Sequence, residues 1–255
     1  MAVRGILFDK DGTLVDFFGT WIPAYRVASD LAAAAAGDPA LGDRLLQLAG
    51  YDPATGDLDP DSILASGTTL EICDLWAAAA GVPDRRKLSG KLHRAMEAYV
   101  IARPVPIAHG IDDLFRRLAD RGLVLGIATM DGEAVARATA RALNLSEFLS
   151  FISGFDSGYG SKPAPGMVRG FCAVAGLSPA DILVVGDTSR DMEMARTAGA
   201  GLAVAVLTGA TPREKLAPIA DQVIPSVFDI ESVLDRTRRR GAQRQYRRSR
   251  PRPAN

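Results

Sequence analysis

Six side chains in this 255-residue sequence are of types and spacing that could do polar chemistry together: Asp9, Asp11, Thr129, Lys162, Asp187 and Asp191. The first two lie in Ile6-Leu7-Phe8-Asp9-Lys10-Asp11-Gly12-Thr13-Leu14. A short buried strand ends there at two carboxylates, and Gly12 marks the turn that follows. In an open parallel sheet such strand ends are where ligands bind. Carboxylates this close repel each other. A divalent cation would remove the penalty, and all-oxygen ligands suit Mg²⁺. A solvated acidic turn explains the same residues equally well. Ile182-Leu183-Val184-Val185-Gly186-Asp187-Thr188-Ser189-Arg190-Asp191 repeats the pattern, with the second acid at a helix start, where acids are favoured in any case. Lys162 stands in Gly160-Ser161-Lys162-Pro163-Ala164-Pro165. Pro163 holds it in extended or turn geometry and Pro165 starts a helix, so the ammonium can be set near anionic oxygens. Thr129 closes the apolar run 125–128; alone it would be an ordinary strand residue.

The elements that must position these groups follow from the pattern of apolar residues. After the opening strand, 3–8, the chain turns helical from about Thr20 to Ala102. Helices are expected at 21–36, 41–49, 68–80 and 84–100, with a loop at 51–60 and one turn near 61–64. Pro104 and Pro106 mark a boundary. Beyond it helices are expected at 111–120, 133–143, 165–175 and 192–198. They alternate with strands at 123–128, 148–155, 182–185, 202–207 and 223–224. That alternation implies an α/β fold with a doubly wound parallel sheet, Rossmann-like, carrying a helical insertion. The expected domains are a core of residues 1–16 and 103–235, a helical cap of 17–102, and a tail of 236–255.

The sequence is 47% hydrophobic, enough for a sizeable core. Its 30 basic and 30 acidic residues cancel only globally. Nine of the arginines fall in 236–255, which lacks acids; residues 1–235 hold 21 basic against 30 acidic residues. The tail reads as disordered. A solubilising extension is the preferred reading, and contact with nucleic acid or an anionic surface the alternative. Cys73 and Cys172 match no metal or redox spacing and read as core residues of a reducing compartment. With His93 and His109 the only histidines, neither a structural zinc site nor a Ser-His triad is supported. Without a signal-peptide pattern or an apolar run of membrane-spanning length, the expectation is a cytoplasmic protein with no membrane partner.

Asp9-Lys10-Asp11-Gly12-Thr13-Leu14, Thr129, Lys162-Pro163 and Gly186-Asp187-x-x-x-Asp191, in this order, resemble the four motifs of haloacid dehalogenase superfamily phosphatases. The helical insertion matches the place of their α-helical, C1-type cap. The resemblance implies a hydrolase with Mg²⁺ as cofactor and a small phosphorylated metabolite as substrate, phosphoglycolate being the nearest likeness. Asp9 would be the nucleophile and Asp11 the general acid/base. Thr129 and Lys162 would bind the phosphoryl group. Met130 stands where Asn is frequent, leaving the Met130 and Asp131 backbone N–H groups as donors. Asp9, Asp187 and the Asp11 carbonyl would ligate the metal, with Asp191 acting through water or by orienting Lys162. Ser66, Thr68 and Thr69 are candidate substrate contacts in the cap, although helix capping also accounts for them. Dehalogenases and phosphonate hydrolases usually lack the second acid. A phosphosugar mutase, or a non-catalytic binding protein with an arginine-rich interaction tail, are the alternatives.

Overall fold

A computed structural model describes residues 3–249, with side chains through 239. Parallel strands buried on both faces need apolar residues at every position, and the central strands supply them, the edge strands less completely. β1 (Gly5–Phe8), β2 (Val124–Ala128), β3 (Leu149–Ser153), β4 (Ile182–Gly186), β5 (Leu202–Val206) and β6 (Gln222–Ile224) form one parallel sheet in the order β3-β2-β1-β4-β5-β6. Side chains alternate between faces. Ile6 and Phe8 of β1, with Leu183 and Val185 of β4, enter one core layer, while Leu7, Ile182 and Val184 enter the other. The first layer is closed by Leu114, Phe115 and Leu118 of an amphipathic helix at Ile111–Asp120. The second is closed by helices at Gly166–Ala175 and Ser189–Ala198.

The inserted helices are α1 (Phe17–Ala36), α2 (Leu41–Leu48), α3 (Ile63–Ser66), α4 (Thr69–Ala79) and α5 (Arg85–Ala102). They enclose a separate apolar cluster built on Trp21, Tyr25, Leu45, Ile72, Trp76, Leu92 and Met96. The two connections to the sheet run side by side: the Asp16 N–H donates to the Val105 carbonyl (2.9 Å), and the Val105 N–H to Thr20 Oγ1 (3.0 Å). In the core follow α6 (Ile111–Asp120), α7 (Glu133–Ala142), α8 (Gly166–Ala175), α9 (Ser189–Ala198), α10 (Arg213–Leu216) and α11 (Ile230–Ser249).

Two expectations change. α1 starts at Phe17 rather than Trp21, because Asp16 caps it through the Gly19 N–H (3.2 Å) and the helix continues across Pro23. The cost of that proline is one missing backbone donor. The stretch from 236, expected to be unstructured, continues α11 to Ser249. Arg and Gln are good helix formers, and Ile230, Val233 and Leu234 anchor the first turns in the core. Residues 250–255 and the side chains beyond 239 lie outside the described residues, and with them most of the groups a nucleic-acid contact would use. No helix among the described residues is long and apolar enough to cross a membrane.

Candidate active site

The sheet order sets out the site. β1 lies between β2 and β4, with Phe8 level with Ile127 and Val185. Parallel neighbours are about 4.8 Å apart. The next residues, Thr129 after β2, Asp9 after β1 and Asp187 after β4, therefore stand in a row along one sheet edge. This is also where the chain reverses its direction of winding, since β2 and β3 lie on one side of β1 and β4 to β6 on the other. The Asp9 N–H donates to the Val185 carbonyl (2.8 Å), which pins the start of the loop.

Lys162 comes to this row from the loop before α8, and its peptide bond to Pro163 is cis. Its ammonium is buried between Asp9 Oδ1 and Asp191 Oδ1, the second contact at 2.5 Å. Burial alone would lower the lysine pKa; the charges of Asp191 and Asp9 more than reverse this and leave it firmly charged. Asp191 is committed elsewhere too. Its Oδ2 accepts from the Thr188 N–H (3.1 Å) and hydroxyl (2.5 Å) in a capping box that opens α9. Asp191 thus contacts Lys162 and also contributes an oxygen to the acidic cluster, so both roles the sequence left open for it stay compatible with its position.

The remaining charge is not balanced by protein. Asp187 is 3% exposed, and its Oδ1 has no hydrogen-bond partner among the described residues. Burial, then the nearby Asp9 and Asp191 charges, push its pKa well above the ordinary range. Burial, partly opposed by Lys162, pushes Asp9 up to about 7. One carboxylate oxygen from each of Asp9, Asp187 and Asp191 lies within 4.8 Å of the others. Backbone is cleared around this point: a Cβ at Gly209 would come 1.7 Å from Asp187 Oδ2, and one at Gly12, where φ is +78°, 2.6 Å. An orphaned buried carboxylate oxygen, hard oxygen donors and excess negative charge together fit a divalent cation such as Mg²⁺.

Asp11 lines the same hollow as Asp187 in a different setting. Its Oδ1 receives the Lys10 ammonium (2.5 Å) and the indole N–H of Trp21 on α1 (2.7 Å). Lys10 is fully buried and also meets Asp131 Oδ2 (2.7 Å). That contact is an ion pair. Thr129 and Met130 line the same hollow, whose volume is about 50 Å³. The Asp131 N–H, expected as a free donor, instead donates to Thr129 Oγ1 (3.2 Å). The turn after β2 folds it back onto the hydroxyl.

Phe17, Trp21, Tyr25, Leu64 and Ser66 from the inserted helices close the hollow from above. Of the three cap candidates only Ser66 lines it. Thr68 caps α4 in a reciprocal box with Glu71, and Thr69 is buried in the first turn of that helix. Lys10, Trp21 and the Asp131 carboxyl were not expected at the site. An acid two residues past Thr129 was the available signal, but a lysine between two acids reads as a solvated counter-charge.

The sequence from 3 to 199 matches the family model for haloacid dehalogenase-like hydrolases. The chain belongs to this family. It is 25% identical to the N-acetylmuramic acid 6-phosphate phosphatase of Pseudomonas aeruginosa over 239 residues, 92% of this chain and 96% of that one. It is 29% identical to the phosphoglycolate phosphatase of Neisseria gonorrhoeae over 216 residues, 81% of each. The fold is shared with a solved structure described as a predicted phosphoglycolate phosphatase from Haemophilus somnus 129pt. The TM-score is 0.69, at 20% identity, over 91% of this chain and 97% of that one. Membership makes the chain a hydrolase, and its similarity is to phosphatases.

Proposed function

We propose that this hydrolase is a Mg²⁺-dependent phosphatase that cleaves a small phosphomonoester through an aspartyl-phosphate on Asp9. The observation that carries the reading is the buried constellation of Asp9, Lys162, Asp187 and Asp191 at the ends of β1 and β4, with Asp11 facing it. Unaided phosphomonoester hydrolysis is extremely slow, and an anionic nucleophile is repelled by an anionic phosphate. The Lys162 ammonium and the Thr129 hydroxyl neutralise phosphoryl oxygens as the nucleophile approaches. A bound Mg²⁺, held by Asp9, Asp187 and the Asp11 carbonyl, supplies the rest of that neutralisation.

In the first step an oxygen of Asp9 forms a bond to phosphorus as the ester P–O bond breaks. Asp11 gives its proton to the departing alkoxide, so an alcohol leaves and Asp11 becomes a carboxylate. In the second step Asp11 takes a proton from water as the water oxygen bonds to phosphorus. Inorganic phosphate leaves and Asp9 is restored. Residues 17–102 act as a cap. The hollow beneath the cap, about 50 Å³, suits a phosphoryl-sized group. The cap residues beside it sort the substrates.

The substrate class is a small, doubly anionic phosphomonoester of the phosphoglycolate kind, a reading supported by the phosphatases to which the chain is similar. Arg190, which lines the hollow, is a cation suited to a second anionic group. A phosphate-release assay over a panel including phosphoglycolate and N-acetylmuramic acid 6-phosphate tests this. One of them should be turned over, with Mg²⁺ required and chelator inhibiting. Conversion of a sugar phosphate without phosphate release would identify a mutase instead.

A further inference from the structure

Asp11 is not left to find its own orientation. A carboxyl group on a loop rotates freely, and proton transfer demands placement within hydrogen-bond reach of the leaving oxygen. Here one of its oxygens, Oδ1, takes two donors from separate segments: the Lys10 ammonium at 2.5 Å and the Trp21 indole N–H at 2.7 Å. No side-chain hydrogen bond reaches Oδ2 among the described residues, which leaves that oxygen for the proton. Lys10 is itself anchored. Its side chain is fully buried, and its ammonium lies 2.7 Å from Asp131 Oδ2 and 5.6 Å from the centre of the Trp21 ring. A lysine with a single carboxylate partner would follow that partner's motion. A lysine between two carboxylates on different loops, with an indole beside it, is fixed. Asp131 stands on the loop after β2, so the chain of contacts runs from the sheet through Asp131 and Lys10 to Asp11.

We propose that Lys10, anchored by Asp131, is a positioning residue that holds the Asp11 carboxyl in place for protonating the leaving group. Lys10 is fully buried and does not line the hollow, which Asp131 borders; in this role both act through Asp11. The inference rests on the reading of Asp11 as general acid. It differs from the role of Lys162, whose ammonium sits at the nucleophile.

The test uses leaving groups. An aryl phosphate such as p-nitrophenyl phosphate expels a stable phenolate and needs little protonation. An alkyl phosphomonoester needs a full proton. kcat/KM reports only the steps through departure of the leaving group, so the later hydrolysis of the aspartyl-phosphate does not enter. Asp131→Asn keeps shape and volume while removing the anchor charge, and Lys10→Met is the second variant. Asp11→Asn provides the reference, with a loss on the alkyl ester on the order of 10²-fold. Asp131→Asn is expected to lose about tenfold or more on the alkyl ester, several-fold more than on the aryl ester. The Asp11→Asn/Asp131→Asn double variant is expected to be no worse than Asp11→Asn alone, since the two act as a unit. Equal losses on the two esters, or losses that multiply in the double variant, would overturn the positioning role. A wild-type protein that released phosphate from neither ester would instead overturn the phosphatase reading. An Asp11→Asn variant without leaving-group selectivity would remove the acid itself.

Discussion

Two lysines in this protein are enclosed, and each lies between two carboxylates: Lys162 between Asp9 and Asp191, Lys10 between Asp11 and Asp131. In both, burial would lower the pKa and the paired carboxylates more than restore it. The surroundings separate them. Beside Lys162 lies Asp187, a carboxylate with an unpartnered oxygen, so the cluster carries negative charge beyond what the lysine cancels. Beside Lys10 lies Trp21, an apolar wall with one N–H, and the excess is smaller: one ammonium against Asp11 and Asp131, whose Oδ2 meets Lys10 as an ion pair and has no hydrogen-bond partner among the described residues. The first arrangement leaves negative charge that a cation would balance. The second spans two loops and the first inserted helix and serves as a mount.

The sharpest way to break this comparison is at the nucleophile. Asp9→Asn should lower phosphate release by at least about 10³-fold on every substrate while far-UV circular dichroism is unchanged. Near wild-type release from a clean preparation would end the assignment.

Replacing either lysine with Met should cost about 3–5 kcal/mol of stability, because each leaves buried carboxylates without their cation. Urea unfolding measures it. The two should then diverge in activity: Lys162→Met uniformly across leaving groups, Lys10→Met selectively for alkyl esters. Identical selectivity would erase the distinction drawn between them.

The third prediction concerns pH. Asp9 and Asp187 have folded-state pKa values raised above their unfolded ones, Asp9 to about 7. Where the folded state binds more protons, stability falls as pH rises. The metal-free protein should therefore be more stable at pH 5.5 than at pH 8, by about 2–4 °C in Tm for each kcal/mol. Added Mg²⁺ should stabilise most at pH 8, where the carboxylates are ionised. A Tm in chelator that rises steadily from pH 5.5 to 8 would contradict this.

The smallest effect belongs to the cap. Thr68→Ala removes a capping box and should cost about 1 kcal/mol, with substrate preference unchanged. A changed preference would return Thr68 to the substrate site.

How much of this was legible follows from the range of each interaction. Strands buried on both faces read as apolar runs, so β1, β2 and β4 and the polar residues that end them were visible directly. Lys162 was visible because two prolines beside it are local signals. Lys10 was not, since its partner Asp131 lies far along the chain and nothing local distinguishes a buried ammonium from a solvated one. Trp21 reads as the start of an apolar-spaced helix, whereas Asp16 already begins that helix, and its contact with Asp11 spans ten residues that no local pattern links. Thr68 was readable as a cap, and the structure leaves it as one. The arginine-rich stretch was misjudged because absent apolar spacing hides helix-forming residues that continue an anchored helix.

The Trp21 contact with Asp11 has an optical consequence. The chain has two tryptophans, and Trp76 is sealed inside the inserted helices with its indole N–H on the Leu45 carbonyl (2.8 Å). Trp21 alone has its indole on a charged group of the sheet domain. Its fluorescence, isolated by Trp76→Phe, would report in real time and without a label whether the first inserted helix keeps its contact with Asp11.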